Sequence, residues 1–266
     1  LAEIVLQKTG GYPFFVEFFL KTLFEKGVLT FDIPDGLSEN AFMEKGGWEW
    51  RLPQVQQMEI TDNVAELMSE KIQNLDEETG KILQSASCIG NQFELQTLAA
   101  ISMKANQEVE DLLKKAVLAG LLLPVKREIF ELERSESEQS PDLSIESYRF
   151  LHDRISQAAY SLLPDASRFE YHLRTGRHWL QLWTGKQRDE RLFNIVNQLN
   201  LGSKYIADHS EREELASLNL EAGRKAKSAA AYEQAYQYFK SGQKLLEQNC
   251  WQQQYTLSLD IYLETA

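Results

Sequence analysis

The chain has 266 residues, 43% of them hydrophobic and 26% charged, enough for one to three buried cores. Its 28 Lys and Arg stand against 40 Asp and Glu, a formal net charge of −12, which argues against a nucleic-acid surface because phosphate contacts need clustered cations. No apolar run reaches the ~18 residues of a membrane span and no signal peptide opens the chain, so no membrane partner is expected. Cys88 and Cys250 lie far apart, in no metal or redox spacing, and read as reduced core residues of a cytoplasmic protein. Leu1 rather than Met comes first, inside an amphipathic stretch, and the last segment stops inside another, so a piece of a longer protein is expected.

In chain order, Leu1, Val5 and Leu6 are spaced for a helix ending at Thr9-Gly10-Gly11. Pro13 opens a second helix, apolar around most of its circumference through Phe14, Phe15, Phe18, Phe19, Leu20, Leu23 and Phe24, and expected to be buried. From Gly27 to Ile60 turn formers dominate, with Trp48, Trp50 and Leu52 alternating as in a short strand. Thr61, Asp62 and Asn63 then offer N-caps to a helix striped by Val64, Leu67, Met68, Ile72 and Leu75.

From Asp76 three helices follow. Ile82, Leu83, Ala86 and Ile89 stripe the first, which ends at Gly90, and Leu95, Leu98 and Ile101 stripe the second. Val109, Leu112, Leu113, Ala116 and Val117 stripe the third, capped by Asn106 and stopped by Gly120. Leu121–Val125 and Glu128–Leu132 can be strands, with Tyr148–Leu151 returning beside them in the order of a winged helix, and the acidic, Ser-rich run from Arg134 to Ser144 reads as a solvated, mobile loop. Within Tyr148–Leu163 the hydrophobic period switches: Tyr148 and Phe150 alternate as in a strand, whereas Ile155, Ala159, Leu162 and Leu163 share a helix face. His152 and Asp153 sit at that junction, placed to accept a backbone N–H, and Pro164 ends the helix.

Beyond Pro164 only helices are expected. Phe169, Leu173, Gly176, Leu180 and Trp183 line one; Leu192, Ile195, Val196 and Leu199 the next. Ser210 with Glu213 reads as a capping box for a helix carrying Leu215, Leu218, Ala222 and Ala226. Tyr232, Ala235, Tyr236, Phe239, Gly242, Leu245 and Leu246 form its partner, of tetratricopeptide character at a period of roughly 34 residues. Trp251–Ala266 begins a following helix, and because one repeat cannot bury its own face the array is expected to continue.

Three runs carry a resemblance. TGGYPFFVEFFLKTL resembles the Gly-x-Pro turn and Phe-rich helix that mark the helical lid of signal-transducing AAA-like ATPases, the STAND class. GWEW followed by ITDNV, ELM and KIQNL resembles the segment after the lid in large cyanobacterial-type proteins that join a Ser/Thr kinase, a STAND ATPase, a sensor and a histidine kinase. FLHDRISQAAYSLL, with Arg168 and His172 downstream, is similar to the STAND pattern after the wing. The resemblance implies a mainly α chain with a helical lid at 1–75, a winged helix with a small β wing at 76–163, and antiparallel helix pairs of tetratricopeptide type at 164–266. It implies that Gly11, Tyr12 and Pro13 lie against an adenine nucleotide held by an upstream nucleotide-binding domain, with ATP or ADP and Mg as cofactors of the parent protein and none in this chain. Most relatives have Asn where Tyr12 stands, while the Gly and Pro geometry is kept.

The chemistry of catalysis is absent from the sequence. No G-x-x-x-x-G-K-[ST] loop occurs, so the chain is not expected to hydrolyse ATP alone, and the kinase signatures are missing, the string Leu151-His152-Asp153-Arg154 being in the wrong order. His152, His172, His178 and His209 lack metal spacing, so no metal site and no catalytic residue is assigned. The function expected is a non-catalytic regulatory and scaffold segment of a signalling ATPase joined to protein kinases of the two-component and Ser/Thr types, binding protein partners through its helical repeats. The alternative is a DNA-binding transcriptional regulator using the winged helix, which the acidic third helix (Glu108, Glu110 and Asp111 against Lys114 and Lys115) disfavours.

Overall fold

In a computed structural model the chain is mainly α, with residues 1–9, 11, 13–32, 47–57, 64–125, 147–246 and 249–266 described. The expected caps at Thr61–Asn63, the strand at Glu128–Leu132 and the run from Arg134 to Ser144 lie outside the described residues. Two compact units form, Leu1–Lys71 and Ile72–Ala266.

In the first unit, α1 (Ala2–Thr9) and α2 (Pro13–Glu25) precede a hairpin of β1 (Leu29–Asp32) and β2 (Gly47–Trp50), and α3 (Leu52–Gln57) follows. Leu29 faces Trp50 and Phe31 faces Trp48 across the antiparallel pair. Val5, Phe19, Leu23, Val28, Leu29 and Val55 make the core. The expectation that α2 is buried is corrected at Phe24, which is 55% exposed, its ring in a T-shaped contact with Trp48 at 6.0 Å between centroids. The core gathers α1, the hairpin and Val55 of α3 around Phe19 and Leu23, while Glu17, Lys21 and Glu25 of α2 are exposed. Leu6 also points outward, while Val5 and Thr9 are buried and Ile4 packs against the core, and Leu52 opens α3 instead of extending the strand. Pro53 accounts for this, since a residue without an N–H fits the first turn of a helix and breaks a strand ladder.

Further along, α4 (Val64–Gln73) carries buried Met68 and Ile72, and α5 (Glu77–Ile89) is capped by Asp76, whose carboxylate accepts the Thr79 N–H at 3.1 Å. Next come β3 (Gln92–Glu94), α6 (Leu95–Ser102), α7 (Asn106–Leu118), β4 (Leu122–Val125) and β5 (Ser147–Phe150). The strands form an antiparallel sheet in the order β3-β5-β4, with Phe93 opposite Tyr148. The strand β3 is new relative to the sequence reading; three residues are too short for a period to show, and it pairs because Phe93 buries its ring beside Tyr148 and Phe150. The cap of α7 is also corrected: Asn106 is its first helical residue, and Ala105 holds the cap position without a side-chain bond. Gly120 closes the turn after α7 at φ +69°, where a left-handed conformation suits glycine.

His152 starts α8 (Asp153–Ser161) by accepting the Arg154 N–H on Nδ1 at 3.1 Å. Then follow α9 (Asp165–Leu182), α10 (Gly185–Gly202), a 3-10 turn at Ser203–Tyr205, α11 (His209–Ser228), α12 (Tyr232–Leu245), α13 (Cys250–Gln253) and α14 (Tyr255–Thr265). The pairs α9–α10 and α11–α12 approach closely because glycines face bulk: a Cβ on Gly176 would stand 2.6 Å from Leu199, and one on Gly223 would stand 2.2 Å from the Phe239 ring. Two expectations fail here. Asp208, not Ser210, caps α11 by accepting the Glu211 N–H at 3.2 Å, and Tyr238 is the buried tyrosine of α12 while Tyr232 and Tyr236 are exposed. Between the pairs, Asn200 and the fully buried Asn219 exchange amide hydrogen bonds of 2.8 and 2.9 Å. Among the described residues no helix is long and apolar enough to cross a membrane.

Candidate functional site

The turn expected to face a nucleotide is built by Gly11 at φ +75°, a value that favours glycine. Its N–H donates to Thr9 Oγ1 at 3.3 Å, and that hydroxyl donates to the Val5 carbonyl at 2.6 Å, so the end of α1 is closed by its own side chain. A Cβ on Gly11 would come 2.9 Å from Leu6 Cδ1. Gly11 and Pro13 are both exposed, and Tyr12 lies outside the described residues. Within the same unit, Leu1, Leu20, Phe24, Leu29 and Trp48 line an apolar hollow of about 740 Å³ that does not include Gly11 or Pro13.

In the second unit the chemistry gathers where the sheet and its helices meet α9 and α10. Tyr160 OH and His172 Nε2 are 3.0 Å apart, and His172 Nδ1 and Gln198 Oε1 are 2.7 Å apart. The Gln198 amide N–H₂ donates to the carbonyls of Cys88 and Ile89 at 3.0 and 3.3 Å, which leaves Oε1 as the acceptor and places the imidazole proton on Nδ1. Nε2 therefore accepts from the Tyr160 hydroxyl. Burial lowers the pKa of His172 below the ordinary histidine value, the Gln198 hydrogen bond opposing it, and burial lowers that of His178 too. The Cys88 thiol is pushed up to about 12, mainly by burial, which keeps it protonated and inert at neutral pH.

Gln198 has company in this duty. The last carbonyls of a helix have no partner within it and need donors from elsewhere. Gln198 from α10 supplies them to the end of α5; Arg168 from α9 donates to Tyr160 and Ser161 at the end of α8, at 3.0 Å each; Arg174 from α9 donates to Ile101 near the end of α6 at 3.1 Å. Three helices thus terminate on side chains of α9 and α10. The sequence reading singled out Arg168 and His172 but missed Arg174 and Gln198. Gln198 was visible as a polar residue inside the apolar stripe of Leu192, Ile195, Val196 and Leu199.

Beside this seam lies a cleft of about 350 Å³. Trp179 and Trp183 form its wall, stacked at 5.1 Å and 23°, with Phe93 from β3 nearby. The Arg191 guanidinium sits 4.3 Å over the Trp183 ring, and Gln92, Glu94, Asn194 and Gln198 are among the polar residues of the lining. Among the described residues no group of three or more His, Cys, Asp or Glu could hold a metal.

This fold is mainly α, with two small antiparallel sheets, the larger flanked by helices and followed by helix pairs whose side chains cap three of those helices. The sequence matches that of "Hybrid signal transduction histidine kinase G" of Dictyostelium discoideum at 30% identity over 313 aligned positions, which take in all of this chain and 9% of that protein. The chain thus spans under a tenth of the length of that relative. No family model matches, and no solved structure matches.

Proposed function

We propose that this chain is a non-catalytic regulatory and scaffold segment of a multidomain signalling protein, a STAND-type ATPase joined to kinase modules, in which lid, winged helix and helix pairs relay nucleotide state and dock protein partners. The observation that carries it is the similarity to a signal transduction histidine kinase along the whole chain. The helix, strand, two helices and two strands from α5 to β5, in sheet order β3-β5-β4, support the winged-helix reading. The seam supports a relay, since helices that end on side chains of α9 and α10 move with them as one body. Protein docking is favoured over DNA because the cations on and beside α7 are already neutralised. Lys104 pairs with Glu78 and Glu108, Lys114 with Glu110 and Asp111, and Lys115 with Asp76.

In the longer protein, Pro13→Ala is expected to weaken ADP retention without unfolding the first unit, and deletion of residues 72–266 is expected to uncouple kinase autophosphorylation from nucleotide state. Unchanged ADP affinity by calorimetry would return Gly11, Tyr12 and Pro13 to a plain helix–helix turn. Regulated autophosphorylation that survives the deletion would refute the relay. A duplex-DNA titration at low salt, where electrostatic binding is strongest, is expected to show none.

A further inference from the structure

We propose that the cleft between β3 and the α9–α10 pair binds a free amino acid with an aromatic side chain. Its volume of about 350 Å³ falls at the small end of the ~300–1,000 Å³ typical of small-ligand clefts, so a compact ligand is called for. The aromatic part of the lining comes from Trp179 and Trp183, stacked nearly parallel and 9% and 8% exposed, and a further ring packs offset or edge-on against the indole surface left open to the cleft.

The charges decide the rest of the ligand. Arg191 is held over Trp183 by a cation–π contact and forms no salt bridge among the described residues, so its N–H donors are available to a carboxylate in paired geometry. Asn194, one turn along α10, adds an amide to the same lining. Glu94, at the end of β3, also lines the cleft and forms no salt bridge among the described residues. A simple anion would satisfy Arg191 and meet Glu94 as a like charge; a simple cation would do the reverse. A zwitterion satisfies both, its carboxylate on Arg191 and its ammonium on Glu94. Of the other amides in the lining, Asn197 accepts the Tyr238 hydroxyl at 2.9 Å and Gln198 belongs to the seam, while Gln92 of β3 adds a third polar side chain beside Glu94. The charges of the ligand therefore fall to Arg191 and Glu94, with Asn194 and Gln92 as neutral partners and the two indoles beside its ring.

The test is calorimetric titration of the 266-residue chain with L-phenylalanine and L-tryptophan. Saturable one-to-one binding is expected for at least one of them, weakened at least about tenfold, or roughly 1.4 kcal/mol, in Arg191→Met and in Glu94→Gln, with thermal unfolding unchanged in both. Two analogues separate the charges. 3-Phenylpropionate lacks the ammonium, and its disadvantage against L-phenylalanine should vanish in Glu94→Gln; phenethylamine lacks the carboxylate, and its disadvantage should vanish in Arg191→Met. L-Alanine, which has no ring, should not bind. Absence of saturable binding by both aromatic amino acids at about 1 mM would overturn the proposal, as would affinity indifferent to both substitutions. N-Acetyl-L-phenylalanine binding as tightly as L-phenylalanine would also overturn it, by removing the part assigned to Glu94.

Discussion

Replacing Gln198 by Met keeps the length and most of the volume of the side chain but removes the amide that joins α10 to α5. Three contacts go: the donations to Cys88 and Ile89 at 3.0 and 3.3 Å, and the His172 contact at 2.7 Å. An unsatisfied buried group costs about 1–3 kcal/mol and a made hydrogen bond contributes about 0.5–1.5 kcal/mol net, and the two carbonyls at the rim of the helix end recover part of the loss from water. The His172 N–H, on a side chain only 5% exposed, does not. The expected loss is therefore about 2–4 kcal/mol. For a folding unit of this size each kcal/mol lowers Tm by roughly 2–4 °C, so a fall of roughly 5–15 °C should be seen by circular dichroism. In a His172→Phe background the same change should cost less, the coupling energy being about 0.5–3 kcal/mol for residues sharing a network. A loss under about 0.5 kcal/mol with no coupling to His172 would refute the account of the seam as a stabilising network.

Three further outcomes are expected. Burial depresses His172 and His178, so the unfolded chain binds protons more readily than the folded one as pH falls below ~6.5. Stability should be at its full value above that pH and decline toward pH 5, and a double His172→Gln, His178→Gln chain, followed by thermal melts, should lose most of that slope. Phe19→Ala, at a position 2% exposed in the core of the first unit, should cost about 3–5 kcal/mol in denaturant titration; a cost under about 1 kcal/mol would mean that the ring is not packed. Gly202→Ala places a Cβ 2.7–2.9 Å from Leu173 Cβ, the Phe169 carbonyl and the Leu173 backbone N, which no rotamer relieves, so a loss of about 1–3 kcal/mol is expected; Gly80→Ala meets only Ile72 O at 3.7 Å and should be neutral or gain up to about 1 kcal/mol. Equal effects of the two glycine changes would show that close helix approach is not what fixes Gly202.

Much of the helical order was legible because the apolar stripes are long. The stripes of α5, α7 and α10 all turn inward as their spacing required, and the switch from strand to helix at His152 falls where the period changes. What escaped was either too short or not periodic. Gln92–Glu94 has three residues and no alternation to read. At Asp208 and Ser210 two capping side chains compete within three positions, and the backbone extends at Asp208. On α12 Tyr232, Tyr236 and Tyr238 look alike in composition, and Tyr238 is the one that meets partners on α10, its hydroxyl on Asn197 and its ring stacked on Phe193. The cleft was illegible for a different reason. Trp183 read correctly as inward, but a wall becomes a site only through residues of β3 and α10, and sequence spacing does not bring those elements together.

The helix ends set by Arg168, Arg174 and Gln198 decide where this chain can be divided. Pro164 looks like a natural break, since it stands between two helices. Yet it would strip the donors from the terminal carbonyls of α5, α6 and α8 together, leaving three helix ends to fray into water. In genetic terms the sheet-bearing part and the first helix pair depend on each other as one cassette. Recombination that swaps helix pairs while keeping the sheet must carry over these three side chains or lose the fold, whereas exchange past α10 is free of that condition.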